Sequence, residues 1–146
     1  MARPDPIIGT WKLNVAKSKF SPVLLKALKE IIPKEKTEVY EEFGDQIVLT
    51  ATATMADGKS IFGKYTWPRQ GGIAEVQADV PSFAGVIIIE TLIASGEWYA
   101  TFLTDGKQFM VIRKVVSEDG KTMRLNYTGA DPQGNPFEQM DGYDRQ

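Results

Sequence analysis

The sequence predicts an all-β protein: a closed antiparallel up-and-down β-barrel of about 8–10 strands, with one short helix after the first strand. Two observations carry this expectation. Turn-forming residue pairs recur at near-regular spacing, and the stretches between them are rich in β-branched and aromatic residues. Such pairs supply the positive φ that tight hairpins require. The pairs are Gly44-Asp45, Asp57-Gly58, Gly71-Gly72, Ser95-Gly96, Asp105-Gly106, Asp119-Gly120 and Gly134-Asn135.

The stretches between these turns define the predicted strands. Hairpins joined by short turns leave exposed edges unless the sheet closes on itself, which favours a barrel over a sandwich. We predict strands over residues 7–14, 36–43, 46–55, 59–67, 73–79, 86–94, 97–104, 107–117, 121–128 and 136–145.

One segment, residues 21–33, has a helical pattern instead. Pro22 suits a first helical position, and Leu24, Leu28 and Ile31 fall on one face. We predict a helix over residues 22–32 that covers one end of the barrel. The alternative is a helix packed on the outer wall.

Length and composition limit the possible classes of protein. The 146 residues predict a single domain over 1–146, and a net charge of −2 with both signs interspersed argues against nucleic-acid binding. The longest apolar runs, such as residues 86–89, are far below the roughly 20 residues of a membrane span. The first residues contain no signal peptide, so we expect a cytoplasmic protein if the chain is complete and a secreted or periplasmic one if a leader was removed. The oligomeric state stays open.

The chain contains no Cys and no His. Disulfides and thiolate chemistry are therefore excluded, and the commonest metal ligand and general base are both missing. We predict no metal and no cofactor. Any catalysis would have to use Asp, Glu, Tyr, Lys or Arg side chains.

The opening segment Ile8-Gly9-Thr10-Trp11-Lys12-Leu13, followed by Ser18-Lys19-Phe20, resembles the start of fatty-acid-binding proteins. Residues 9–22 are also similar to small bacterial lipocalin-like domains, and both groups are calycins. The resemblance implies a lipocalin-like barrel around one ligand cavity. It also implies that Trp11 packs against a basic residue of the last strand, and Arg145 stands at that place. Where fatty-acid-binding proteins have Arg-x-Tyr, which holds the ligand carboxylate, this chain has Asp141-Gly142-Tyr143.

Arg113 is the leading candidate for a polar ligand anchor. By the period of two, Phe109, Val111, Arg113 and Val115 share one face of their strand. An arginine among apolar side chains requires a partner, and a ligand carboxylate, phenolate or enolate would fit its guanidinium. The alternative places the opposite face, Met110, Ile112, Lys114 and Val116, inside and leaves Arg113 in solvent.

Aromatic residues at strand spacing supply candidate cavity walls, because apolar and aromatic side chains dominate small-molecule sites. The alternative for each is an ordinary core position. The predicted ligand-binding set is Arg113, Tyr65, Trp67, Trp98, Phe102, Phe109, Tyr127 and Tyr143. On residues 46–55 we expect Ile47, Leu49, Ala51, Ala53 and Met55 to face inward and the intervening threonines outward.

Two carboxyl groups have uncertain orientation. An inward Glu90 would have a raised pKa and could act as a general acid or base, but a surface position is the expectation because antiparallel strands usually have one wet face. An inward Asp141, on the face of Phe137, Gln139 and Tyr143, could pair with Arg113.

These observations predict the binding of a small hydrophobic or aromatic molecule in an internal barrel cavity. The alternative is a cofactor-independent isomerase, cyclase or lyase that acts on an apolar substrate in the same cavity. A third possibility is a filled barrel with a structural role. The fold alone does not choose among them.

Overall fold

The computed structural model describes residues 4–27, 32–78 and 85–146. Within them lie a 3₁₀ turn (Val15–Lys17), a helix α1 (Pro22–Ala27) and the strands of one sheet. The strands are β1 (Gly9–Leu13), β2 (Pro33–Phe43), β3 (Gln46–Met55), β4 (Ser60–Pro68), β5 (Gly72–Ile73), β6 (Glu75–Ala78), β7 (Val86–Ala94), β8 (Glu97–Thr104), β9 (Lys107–Val116), β10 (Thr122–Ala130) and β11 (Pro136–Arg145).

The sheet is an antiparallel, nearly closed barrel. Its strand order is β5-β7-β8-β9-β10-β11-β1-β2-β3-β4-β6. The two edge strands, β5 and β6, are consecutive in the chain and separated only by Ala74. The predicted strand over 73–79 is therefore two short strands: one pairs with β7 at Ile89 and Glu90, the other with β4 over residues 63–66. Residue 79 lies outside the described residues.

The other predicted strands are confirmed within a few residues, and so are the hairpin turns, except that Gly71-Gly72 leads from β4 into β5, and these two strands do not pair with each other. Asp105 and Gly106 have φ of 51° and 74°, the pair of positive values that a two-residue hairpin of the favoured twist requires. A β-bulge lies next to this turn, because Phe102 pairs with Met110 while Leu103 pairs with Gln108. Phe109 is the extra residue.

Trp11 and Arg145 close one side of the barrel, as predicted. They are register partners on β1 and β11, and the Arg145 guanidinium carbon lies 4.2 Å from the Trp11 ring centroid. The guanidinium also donates hydrogen bonds to the carbonyl oxygens of Pro6, Ile8 and Gly120. The indole Nε1 of the fully buried Trp11 donates to the Ile7 carbonyl at 2.8 Å.

Helix α1 begins where the sequence predicts. The Ser21 hydroxyl accepts a hydrogen bond from the Leu24 amide at 3.2 Å, which satisfies one of the free donors at the helix start. Leu24 is buried. Leu28 and Ile31, the other residues of the predicted apolar face, lie outside the described residues. No helix in the described ranges is long and apolar enough to cross a membrane.

Candidate functional site

The barrel encloses a cavity of about 140 Å³. Most of its wall is apolar, and β3 supplies a continuous part of it. Leu49, Ala51, Ala53 and Met55 all line the cavity, as predicted for the inward face of that strand. Thr52, which was predicted to face outward, also contributes to the wall. The two alanines leave space that larger side chains would occupy.

Helix α1 lies at one end of this cavity. Leu24 and Leu25 line it together with Met55, Ile61 and Phe62, which lie at the neighbouring ends of β3 and β4. The helix therefore contributes to the cavity wall and does not pack on the outside of the barrel. Phe62 is 42% exposed, so the wall reaches solvent at this end.

A buried ion pair crosses the interior. The ammonium of Lys114 on β9 lies 3.2 Å from a carboxylate oxygen of Glu90 on β7, and both side chains are 4% exposed. The same ammonium lies over the rings of Trp67 and Tyr40, at 4.9 and 5.4 Å from their centroids. Burial raises the pKa of Glu90, and the positive charge of Lys114 opposes that rise. The expectation of a surface Glu90 was wrong.

The predicted inward orientation of Arg113 is wrong too. Its side chain is 49% exposed, and its Nε donates to the Glu97 carboxylate at 3.1 Å. Met110, Ile112 and Lys114 occupy the inner face of β9 instead. Arg113 therefore does not reach the cavity, and the pairing with Asp141 does not form. The reason is that either face of β9 carries one cation among apolar residues, and only Lys114 has a buried acid to neutralise it.

Glu38 on β2 is the centre of a second polar group. Its carboxylate accepts hydrogen bonds from the hydroxyls of Tyr40 at 2.7 Å and Tyr143 at 3.3 Å. The Lys36 ammonium lies 3.6 Å from the same carboxylate. Burial, and then the charge of Glu38, raise the pKa of both tyrosines well above the usual range, so both stay protonated donors.

Asp141 on β11 is the third carboxyl of the interior. It is buried, and it accepts hydrogen bonds from the Tyr127 hydroxyl and the Gln139 amide, both at 3.0 Å. The Gln139 Oε1 in turn accepts a hydrogen bond of 3.0 Å from the Ser21 backbone amide. This bond connects the Asp141 group to the start of α1. Burial raises the pKa of Asp141, while Lys36 and the two hydrogen bonds act in the opposite direction.

The predicted aromatic residues separate into two groups. Tyr65, Phe102 and Tyr127 line the cavity. Trp67 and Trp98 are buried and pack edge to face with ring centroids 6.0 Å apart, but they do not line it.

The remaining two aromatic residues also lie off the cavity wall. Tyr143 is buried and reaches the cavity-lining Glu38 through its hydroxyl. Phe109, half-buried at the bulge, packs against the ring of Phe102 at 6.2 Å.

The predicted ligand-binding set does not include four polar residues that line the cavity: Lys36, Glu38, Lys114 and Gln139. One signal was present, because the alternation of Lys36, Glu38 and Tyr40 places all three on one face of β2. The described residues contain no cluster of three or more acidic side chains that could hold a metal ion.

Comparison with solved structures assigns the fold. The "REP1-NXSQ fatty acid transporter" matches with a TM-score of 0.64 at 14% identity, covering 96% of each chain. The protein described here has the same fold as that transporter. A Schistosoma mansoni fatty acid binding protein in complex with arachidonic acid also has a TM-score of 0.64, at 15% identity and 98% of each chain. The zebrafish ileal bile acid-binding protein complexed with cholic acid has a TM-score of 0.56 at 11% identity, covering 97% of this chain and 99% of its own.

The barrel fold that the resemblance implied is thus confirmed. No protein-family model matches the sequence, and no curated protein matches it.

Proposed function

We propose that this protein binds a small hydrophobic molecule inside the barrel. The observation that carries the proposal is the cavity itself: an internal space of about 140 Å³ with mostly apolar and aromatic walls and a few inward polar groups. This is the usual composition of a small-molecule site. Solved structures with this fold include a fatty acid transporter and proteins in complex with arachidonic acid and cholic acid.

Tyr65, Phe102 and Tyr127 are the predicted site residues that we propose touch the ligand, because they line the cavity. Arg113 has no part in this proposal. A cavity of this size has room for about ten water-sized groups, so the ligand has on the order of ten non-hydrogen atoms unless the walls move.

The test is a substitution that fills the cavity. Its effect on the binding of octanol, a neutral probe of suitable size, is measured by isothermal titration calorimetry. Ala51→Phe places a ring in the space beside Leu49 and Ala53. We expect octanol affinity to fall at least about tenfold, because the added ring takes the probe's volume and removes its apolar contacts.

The control is Thr50→Phe, which adds the same ring to the outward face of β3 at the next residue. It should bind octanol like the unaltered protein. Equal octanol binding by all three proteins would contradict an internal site, and so would the absence of octanol binding by any of them.

A further inference from the structure

The charged residues of the cavity wall are unbalanced. Among the described residues that line it, the carboxyl groups are Glu38, Glu90 and Asp141, and the cations are Lys36 and Lys114. With all five ionised, the wall carries one negative charge in excess.

Two of the three carboxylates have their own cation. Lys114 pairs with Glu90 at 3.2 Å, and Lys36 with Glu38 at 3.6 Å. Asp141 is the exception. Its hydrogen-bond donors, Tyr127 and Gln139, are neutral, and it makes no ion pair with any described residue.

A buried carboxylate without a counter-ion is costly, so it either takes up a proton or finds a cation. Asp141 is only 3% exposed and lines the cavity. A carboxylate has about four lone-pair positions, and its protein partners use two. Room therefore remains on Asp141 for a donor that comes from the cavity.

We propose that the ligand is a small hydrophobic amine whose ammonium group pairs with Asp141. This refinement rests on the proposed function. The apolar part of the molecule lies between the β3 wall and the rings of Phe102 and Tyr65, and the ammonium supplies the missing positive charge.

A fatty acid does not fit the same wall. Its carboxylate would add a further negative charge to an interior that has an excess of one when all five groups are ionised. Both lysines that could receive it are held by Glu38 and Glu90. A ligand carboxylate on either lysine would share that cation with Glu38 or Glu90, so one further buried negative charge would stay uncompensated, which is strongly unfavourable.

The experiment compares octylamine, octanol and octanoate, which share one alkyl chain, by isothermal titration calorimetry at neutral pH. A charge-assisted hydrogen bond exceeds a neutral one enough to change affinity by about tenfold to a hundredfold. We expect octylamine to bind that much more tightly than octanol, and octanoate to bind most weakly.

Asp141→Asn removes the charge at almost unchanged volume. It should abolish the preference for octylamine over octanol. The control is Glu138→Gln, which removes a carboxylate from the exposed face of the same strand and should keep the preference intact.

The pH dependence of octylamine binding supplies a second readout. The amine stays protonated at and below neutral pH. The charged groups that act on Asp141 are Lys36 and Glu38 from β2, and its titratable hydrogen-bond donor is Tyr127 from β10. Octylamine affinity should fall as the pH decreases through the raised pKa of Asp141. The Asp141→Asn protein should lack this component of the fall.

The outcomes separate the inference from the function on which it rests. If octanol binds inside the cavity but octylamine binds no better, or if Asp141→Asn keeps the octylamine preference, the amine assignment is wrong and the cavity remains a binding site. If octanoate binds most tightly, the assignment is also wrong. If no probe binds, the proposed function fails.

Discussion

Lys114→Met is expected to lower the free energy of unfolding by about 3–5 kcal/mol. The substitution keeps the volume of the side chain but leaves Glu90 buried, 4% exposed, without its cation. The substitution also removes the contacts of the Lys114 ammonium with the faces of Trp67 and Tyr40. Urea denaturation at neutral pH, followed by tryptophan fluorescence, measures the change.

The double variant Lys114→Met/Glu90→Gln distinguishes an unpaired charge from lost packing. Removing both charges should restore most of the stability, since replacing a buried ion pair by neutral groups is often tolerated. Lys64→Met, on the outward face of β4, is the surface control and should stay close to the unaltered protein. A double variant as unstable as Lys114→Met would show that the ion pair is not the cause.

The stability of Lys114→Met should also depend on pH. Burial already raises the pKa of Glu90 in the folded protein, and loss of the lysine raises it further. The unfolded chain therefore releases the Glu90 proton first as the pH increases. The variant should lose stability as the pH rises from the ordinary glutamate range to the raised pKa, and recover it on acidification.

Arg145→Met should cost about 3 kcal/mol of unfolding free energy. The change removes the guanidinium from the Trp11 ring and leaves three carbonyl oxygens, those of Pro6, Ile8 and Gly120, without their donor. Arg145→Lys should recover only part of this loss, because an ammonium cannot reach all three carbonyls from one position.

Arg124→Met, on the exposed face of β10, is the matched control for Arg145→Met. Thermal unfolding of the three variants and the unaltered protein gives the comparison. Equal melting temperatures for Arg145→Met and Arg124→Met would mean that the Trp11–Arg145 contact contributes nothing to closure.

Local sequence signals were sufficient to predict most of the strands and turns. Pairs such as Asp105-Gly106 have a strong intrinsic preference for the hairpin conformation, and the residues between them alternate with the period of the strand. Both preferences belong to residues adjacent in the chain. The division of the predicted strand over 73–79 was not foreseen, because it depends on pairing with two different partners, β4 and β7.

The orientation of β9 could not be predicted in the same way. Period-two alternation groups Arg113 with Val111 and Val115, and Lys114 with Ile112 and Met110, but it does not say which group faces inward. Each face has one cation among apolar side chains. The choice depends on Glu90, which is 24 residues from Lys114 in the sequence and two strands away in the sheet.

The polar residues that line the cavity were also hard to recognise from the sequence, because their burial depends on partners on other strands. Lys36 and Glu38 on alternate positions have the pattern of a solvent-facing surface. They lie inside because the hydroxyls of Tyr40 and Tyr143, from two strands, satisfy the Glu38 carboxylate. A charge can be buried only where partners compensate it, and those partners come together from different strands when the protein folds.

The position of β11 between β10 and β1 also constrains when the barrel can form during synthesis. The ribosome makes β1 early, but β1 obtains its second neighbour only when residues 136–145 have emerged. Until then every earlier strand belongs to an open sheet with an unprotected edge. Pairing over such a sequence distance is slow because the intervening chain must be ordered first. The nascent chain therefore has a long interval in which its future interior is accessible to chaperones and to other chains.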